Sequence, residues 1–351
     1  MPARHSAAEL IAFAAALLGR AGLDADKAEA VAEILVEGDL LGHNTHGLAL
    51  LAAYLADLEQ GRMARTGGPR VVADFPAAVT WDGNRLPGPW LVRRALELAM
   101  ERAGINGTST VIIRRSHHIA CLAAYLRPVT ERGFMVLLTC SDPTARGVAP
   151  HGGRREVMTP NPVAAAWPTE GAPVILDVSM GITTNAMTRR LANEGRRFPG
   201  PWLVDGAGHP TSDAAAAFAN PPGAIMPMGG ADHGHKGYAL GLLVEAFTCG
   251  LAGHGRADPP EGWTANVMLQ VFDPALFGGR EDFLRQTSHL AAACRTTPPR
   301  PGFDRVRLPG EHGLQHRADQ LASGVELYPT IMPALAPWAQ KLGVTMPAAL
   351  G

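Results

Sequence analysis

MGGADHGHKGYALGLLVEAFTCGLAGH, residues Met228 to His254, joins a glycine-rich polar turn directly to a long apolar stretch. Gly229, Gly230, Gly234 and Gly237 let backbone N–H groups approach a ligand closely, Lys236 adds a cation, and a helix is expected to open near Lys236. That combination suits an anion. From Tyr238 to Leu251 only Glu245 and Thr248 are strongly polar, so the helix is expected to be buried on almost every side. A glycine-rich loop leading into an ordinary core helix explains the same residues, and the stretch alone does not choose between the two.

The rest of the chain narrows the setting. Its 351 residues are 46% hydrophobic and 18% charged, ample for a sizeable core. A formal net charge of -1 gives no electrostatic reason to expect nucleic acid or an anionic membrane, which leaves small molecules as partners. Cys121, Cys140, Cys249 and Cys294 form no CxxC pair, so neither a disulfide framework nor a thiolate metal centre is expected, and the compartment reads as reducing. The N-terminus superficially resembles a signal peptide, but Glu9 interrupts the apolar run and Ser6-x-x-Glu9 has capping-box spacing. No run approaches the roughly 18 to 20 apolar residues that cross a bilayer, and a cytoplasmic protein is expected.

Three parts follow in order. Residues 1–70 read as helical, with one helix to about Arg20, a second from about Asp26 and a third from about Thr45 to Glu59, the break between the last two carrying GDLLGHNTHG. Residues 71–235 alternate: strands at VVADF, AVTWD and TSTVIIRR, a helix near Trp90–Ala103, a helix over SHHIACLAAYLRPVTERG, a strand at FMVLLTC, then Gly- and Pro-rich chain with PVILDVSMG as strand and turn. Residues 236–351 add the helix from Lys236, a strand at NVMLQVFD, a helix over about Arg280–Cys294, a short strand before RLPGEHG and further helix. The first part is expected to pack with the third. The turns at Ser116–His118 and Ser141–Asp142 each follow a strand, so both are expected on one edge of one sheet, where α/β proteins gather functional groups.

Histidines come in pairs: His43 and His46, His117 and His118, His233 and His235. There is no HExxH and no EF-hand loop, so no metal is expected. GxSxG is missing; Gly237 stands where a P-loop would place a hydroxyl after Lys236; no GxGxxG follows a strand. What remains is proton transfer near neutral pH beside a cradle for an anion. Histidine suits it, with an unperturbed pKa of about 6.5, and His46 and His118 sit at the best-placed turns.

Six segments in order, DLLGHNTHGLALLAAYL, RRSHHIACLAAYLRPVTERGF, TPNPVAAAWPTEGAPVILDVS, HPTSD, HKGYALGLLVEAFTCGLAG and RLPGE, resemble the type-2 malate/L-lactate dehydrogenase family, over about Ala7 to Ala322. In motif they stand nearest its hydroxycarboxylate and ureidoglycolate dehydrogenase members. The resemblance implies an α/β fold with a mixed sheet and flanking helices that binds NAD or NADP without a Rossmann domain, NAD being favoured, in a homodimer. It implies acid/base roles for His46 and His118, substrate contacts at Thr45, Leu50, Tyr54 and Asn161, and cofactor contacts at Ser141, Asp177, Val178, Ser179, His235, Lys236, Pro309, Gly310 and Glu311. Asp142 is expected to orient His118 and raise its pKa.

Two departures bear on the substrate. Leu50 stands where many members carry an arginine that pairs with the substrate carboxylate, so Arg146 or Arg115 is expected to take that charge and the substrate to be bulky and apolar. Pro160 stands where many have threonine. The expected activity is hydride transfer between nicotinamide and a 2-hydroxy or 2-oxo acid; the alternatives are reduction of a cyclic imino acid, or a ligand-binding homologue without activity.

Overall fold

The computed structural model describes residues 3–350. In chain order its elements are β1 (Arg4–His5), α1 (Ala7–Arg20), α2 (Ala25–Leu40), α3 (Leu51–Glu59), β2 (Arg70–Phe75), β3 (Ala78–Asp82), α4 (Gly88–Asn106), β4 (Thr108–Ser116), α5 (Arg127–Glu131), β5 (Met135–Ser141), β6 (Val163–Trp167) and β7 (Val174–Val178). They continue with α6 (Asn185–Asn193), β8 (Leu203–Val204), β9 (Pro210–Thr211), β10 (Ala224–Ile225), α7 (Gly230–Glu245), β11 (Ala265–Phe272), α8 (Arg280–Thr296), α9 (Glu311–Ser323), β12 (Val325–Glu326) and α10 (Ile331–Leu342). One seven-stranded mixed sheet, in the order β2-β3-β4-β11-β5-β6-β7, dominates. A three-stranded sheet, β10-β8-β9, carries its own small core around Val148, Met180, Phe198 and Leu203.

The centre of the large sheet positions the site. β11 is apolar and buried along nearly its whole length, as a strand covered on both faces must be. It runs antiparallel between β4 and β5, pairing Ala265 with Ser116 and Asn266 with Ser141. The chain therefore leaves β4 and β5 at the same edge, beside the entry to β11, as the alternation of strands and polar turns predicts. The N-terminal helices close over this edge and pack with the end of the chain: α1 and α3 touch α10, α2 touches α9, and β1 pairs with β12.

Several expectations change. SHHIACLAAYLRPVTERG is not one helix; residues 117–121 form an irregular loop, Leu122–Tyr125 is a 3-10 turn and only α5 is α-helical. Ala120 holds a left-handed φ of 59°, and the His117 and His118 carbonyls lie so close to Gly88 that a Cβ there would sit 2.5 and 2.4 Å from them. The turn is pinned against the start of α4 before a helix can form. The third helix starts as a 3-10 turn at Leu48, leaving His46 in the preceding loop. The expected capping box forms no side-chain cap at Ser6, and α2 begins at Ala25, after Asp24, whose carboxylate accepts from Lys27. Among the described residues no strand lies between α8 and RLPGEHG, while β6 and α6 lie where no element was expected.

α7 differs most. It begins at Gly230, so His235 and Lys236 lie inside it. Its buried face is Gly230, Gly234, Gly237, Gly241 and Val244, while Leu240, Leu242 and Leu243 are exposed. A Cβ on Gly237 would lie 2.6 Å from the backbone of Met228, and one on Gly241 would lie 2.2 Å from the Met180 side chain. The glycines bring a helix flush against neighbouring chain. The leucines form an uncovered apolar face, contrary to the expected burial.

Candidate active site

A cavity of about 710 Å³ opens where the turns after β4 and β5 meet the loop between α2 and α3. Of the expected residues, Thr45, His46, Leu50, His118, Asp142, Asn161, Asp177, Val178 and Ser179 line it. A second cavity of about 430 Å³, lined by Pro309 and Gly310 among others, shares Gly42, His43, Asp177 and Val178 with the first. Together they make one trough.

His118 is held from three sides. Tyr54 Oη is 2.8 Å from its Nδ1, the Ala120 N–H donates to the same nitrogen at 3.3 Å, and the ring stacks on Trp263 with centroids 4.5 Å apart. A donor on Nδ1 places the proton of the neutral ring on Nε2. Burial drives the His118 pKa well below its ordinary value, and His46 and His117 push the same way. Behind it, the buried His117 Nε2 pairs with Asp57 at 2.9 Å. Burial alone would raise the Asp57 pKa, but hydrogen bonds from His117 and Arg62 hold it below the usual value.

His46 faces His118 across 6.0 Å between ring centroids, with its Nδ1 2.9 Å from Thr45 Oγ1. Burial first and His43 second lower its pKa to about 4. The loop carrying it is tied at both ends. Asp39 Oδ2 accepts from the Leu48 N–H at 2.7 Å, and the carboxylate lies so close to Gly47 that a Cβ there would meet it at 2.4 Å. Arg190 on α6 donates to Asn44 Oδ1 at 2.8 Å, fastening α6 to the same loop.

Asp142 does not touch His118. Its Oδ1 accepts from the Thr144 N–H and hydroxyl, both at 2.8 Å, and from the Ala145 N–H. Burial raises its own pKa against those bonds; the expected rise in the His118 pKa is instead a fall. Ser141 is buried away from the cavity, donating to Glu245 at 2.9 Å within a network that includes Arg256, and Asn161 donates to the same carboxylate oxygen at 2.9 Å. Ser179 donates to the Pro160 carbonyl. Asp177 accepts from the Ala123 N–H at 2.9 Å. Glu311 pairs with Arg295. His235 and Lys236 are exposed on α7 and line neither cavity. Arg115 is engaged by Glu261 and Asp82, and the exposed Arg146 does not line the cavity.

Trp263, Arg190 and the Asp57–His117 pair were not picked out in the sequence. Trp263 carried a signal, a lone large aromatic between a Gly/Pro loop and a buried strand. The other two depend on contacts more than 50 residues apart.

Whether the trough suits a dinucleotide can be tested on its lining. Two helix starts open onto it: the first turn of α6 in the larger cavity, and Gly310, the left-handed residue before α9, in the smaller. Helix starts carry unpaired N–H groups and favour anions, and the shared residues make the groove continuous. The lining fits an elongated anionic ligand.

The sequence profile of the malate/L-lactate dehydrogenase family matches residues 5–336. The chain is 33% identical over 341 residues to an L-lactate dehydrogenase of Cupriavidus necator, covering 95% of this chain and 96% of that one. Among solved structures it superposes on the malate dehydrogenase of Pyrococcus horikoshii with a TM-score of 0.88 at 26% identity, covering 99% and 97% of the two chains. It also superposes on a delta1-piperideine-2-carboxylate reductase of Pseudomonas syringae with a TM-score of 0.83 at 27% identity, covering 96% and 99%.

Proposed function

The chain belongs to the malate/L-lactate dehydrogenase family, and from that premise we propose that it interconverts a bulky, apolar 2-hydroxy acid and its 2-oxo acid with NAD or NADP. The family activity is NAD(P)-dependent oxidoreduction of 2-hydroxy and 2-oxo acids. The observation that carries the finer reading is the pair of buried imidazoles facing each other across 6.0 Å, both shifted toward the neutral form by burial. A neutral imidazole is ready to accept the hydroxyl proton as hydride leaves the carbinol carbon.

The nicotinamide cofactor, when bound, accepts or supplies the hydride. Gly42, His43, Asp177, Val178, Pro309 and Gly310 would hold it along the trough. Each histidine has its Nδ1 engaged, so Nε2 is the nitrogen left for substrate. His46 is the proton carrier, because with its ring proton on Nδ1 against Thr45 Oγ1 its Nε2 is free to accept; His118, whose ring Tyr54, Ala120 and Trp263 fix with the proton on Nε2, donates to and aligns the same oxygen. In reduction, protonated His46 gives its Nε2 proton to the carbonyl oxygen and returns to the neutral ring, while the His118 Nε2–H holds that oxygen. The developing alkoxide raises the proton affinity of that oxygen as transfer proceeds.

Leu50, Trp263, Met187 and Met228 give the cavity its apolar side, which supports a large side chain on the substrate. No lysine or arginine lines the cavity among the described residues. The substrate carboxylate is therefore assigned to the first turn of α6, where Thr184 accepts from the Met187 N–H and Asn185 and Ala186 line the cavity. A homodimer is supported by the uncovered leucine face of α7.

The test is a spectrophotometric screen of NADH and NADPH oxidation against small aliphatic, large aliphatic, aromatic and cyclic imino 2-oxo acids. Turnover is expected to be fastest with the large apolar oxo acids. Preference for the cyclic imino acid would replace the alcohol reading. Silence across the panel, with no thermal shift on adding either cofactor, would overturn the dehydrogenase reading for this chain.

A further inference from the structure

We propose that His43, Cys121 and Asp177 form a zinc site at the junction of the two cavities, and that zinc bound there excludes the nicotinamide cofactor. The second half rests on the cofactor reading of the trough. The three side chains arrive from separate elements: the turn after α2, the loop after β4 and the end of β7. One ligand atom from each lies within 4.8 Å of the others. In a tetrahedral zinc site, with bonds of about 2.0 to 2.3 Å, neighbouring donors stand roughly 3.3 to 3.8 Å apart. Side-chain rotations therefore close the cluster without moving the backbone elements.

The donor set is one nitrogen, one sulfur and one oxygen. It suits a borderline-soft ion such as zinc; calcium and magnesium prefer all-oxygen shells. Supporting contacts are in place. The Ala123 N–H holds Asp177 Oδ2 at 2.9 Å, leaving Oδ1 free of that bond, and the His43 N–H bonds to the Gly38 carbonyl at 2.8 Å, fixing its turn. Hydrogen bonds of this kind, made behind the ligand atoms, orient them before the ion arrives. Cys121 Sγ is 3.9 Å from Asp177 Oδ2, a long contact that a shared metal would replace. On binding, the Cys121 thiol proton passes to solvent and the thiolate bonds the ion.

Access and consequence follow from position. His43 and Asp177 line both cavities and Cys121 lines the larger. Three protein ligands leave the fourth vertex to water. An ion here sits where the two cavities meet, which a dinucleotide spanning both must also cross. The exposed group of His151, His233 and His235, with ring centroids 5.8 and 6.2 Å apart, is the rival place for adventitious metal.

The experiment titrates chelator-treated full-length protein with cobalt(II), read as a thiolate-to-cobalt charge-transfer band in the near ultraviolet, and with zinc by calorimetry. NADH binding is followed by fluorescence with and without zinc. The band is expected in the wild type and in His235→Ala, and is expected to be lost in Cys121→Ser. Zinc affinity should fall at least tenfold in both Cys121→Ser and His43→Ala, and saturating zinc should raise the apparent NADH Kd at least tenfold in the wild type only. No band, or a band that survives Cys121→Ser, overturns the site. Cys121-dependent zinc binding with unchanged NADH affinity overturns the exclusion. If NADH fails to bind even without metal while the band still depends on Cys121, the cofactor reading fails and the zinc site stands.

Discussion

Tyr54 is the residue on which the chemistry of His118 turns. Its hydroxyl is the strongest partner of Nδ1, and its phenylalanine counterpart keeps the buried ring while removing that bond. Tyr54→Phe is expected to lower kcat for alcohol oxidation about tenfold with little change in KM, one hydrogen bond's worth; an unchanged kcat would remove Tyr54 from the placement of His118. Asp39 makes a pH-dependent counterpart. Burial raises its pKa to about 7, so the folded state holds a proton that the unfolded chain gives up, and stability is lost as pH rises from about 4 to 7. His46, lowered to about 4, acts oppositely: its unfolded form takes up a proton first, so stability is lost as pH falls from about 6.5 to 4. Each effect is about 3 to 4 kcal/mol, and over their shared window they oppose. Asp39→Asn keeps an acceptor for the Leu48 N–H but no longer titrates. Its stability relative to the wild type, measured by urea unfolding, should rise as pH is taken from 4 to 7; a difference that stays flat would place the Asp39 carboxyl at its ordinary value. The positions of His46 and His118 were legible in the sequence because His46 lies in a glycine-flanked turn after a recognisable helix and His118 directly follows a recognisable strand. Their neutrality was not, since burial is set by helices far away in the chain. Asp142 failed as a partner for a local reason: Ser-Asp-Pro-Thr is turn chemistry, and a carboxylate that can bond the N–H two residues on does so.

At the scale of elements, alternating strands and turns located β2 to β5 and β11, and with them the shared edge of β4 and β5. What the pattern could not carry was the turn from Ser116 to Cys121, whose shape is imposed by its seat on α4. Gly88 is the point of contact. Alanine elsewhere in a helix is favourable, yet here its Cβ would meet two carbonyls at 2.4 and 2.5 Å. Gly88→Ala is expected to destabilise by about 1 to 3 kcal/mol and, by displacing the His118 turn, to lower kcat more than it raises KM. A calorimetric scan and steady-state kinetics check both halves; a variant as stable and active as the wild type would show that the contact relaxes freely. α7 was misread for a related reason. Glycine, leucine and lysine in one helix say nothing about which face meets protein until the neighbouring Met180 and Met228 are in place.

For the whole molecule, the exposed Leu240, Leu242 and Leu243, with Leu251 beyond them, form a surface too apolar for a lone chain to leave in water without consequence. Light scattering is expected to give twice the chain mass of 36.9 kDa, and Leu243→Glu to move that mass toward the monomer; a monomeric wild type would leave the leucines to another partner. The order of the sheet carries a consequence for biosynthesis. β11 separates β4 from β5, yet it is the last of the seven strands to be made. Until Ala265 to Phe272 has emerged, the nascent chain holds two half-sheets, β2-β3-β4 and β5-β6-β7, each with an open strand edge and nothing to join them. Such edges invite pairing between chains. A chain released after residue 260 is expected to sediment with aggregates, while the full chain stays in the supernatant. Synthesis of this protein thus passes through a long interval with two unjoined strand edges, ended by one eight-residue strand.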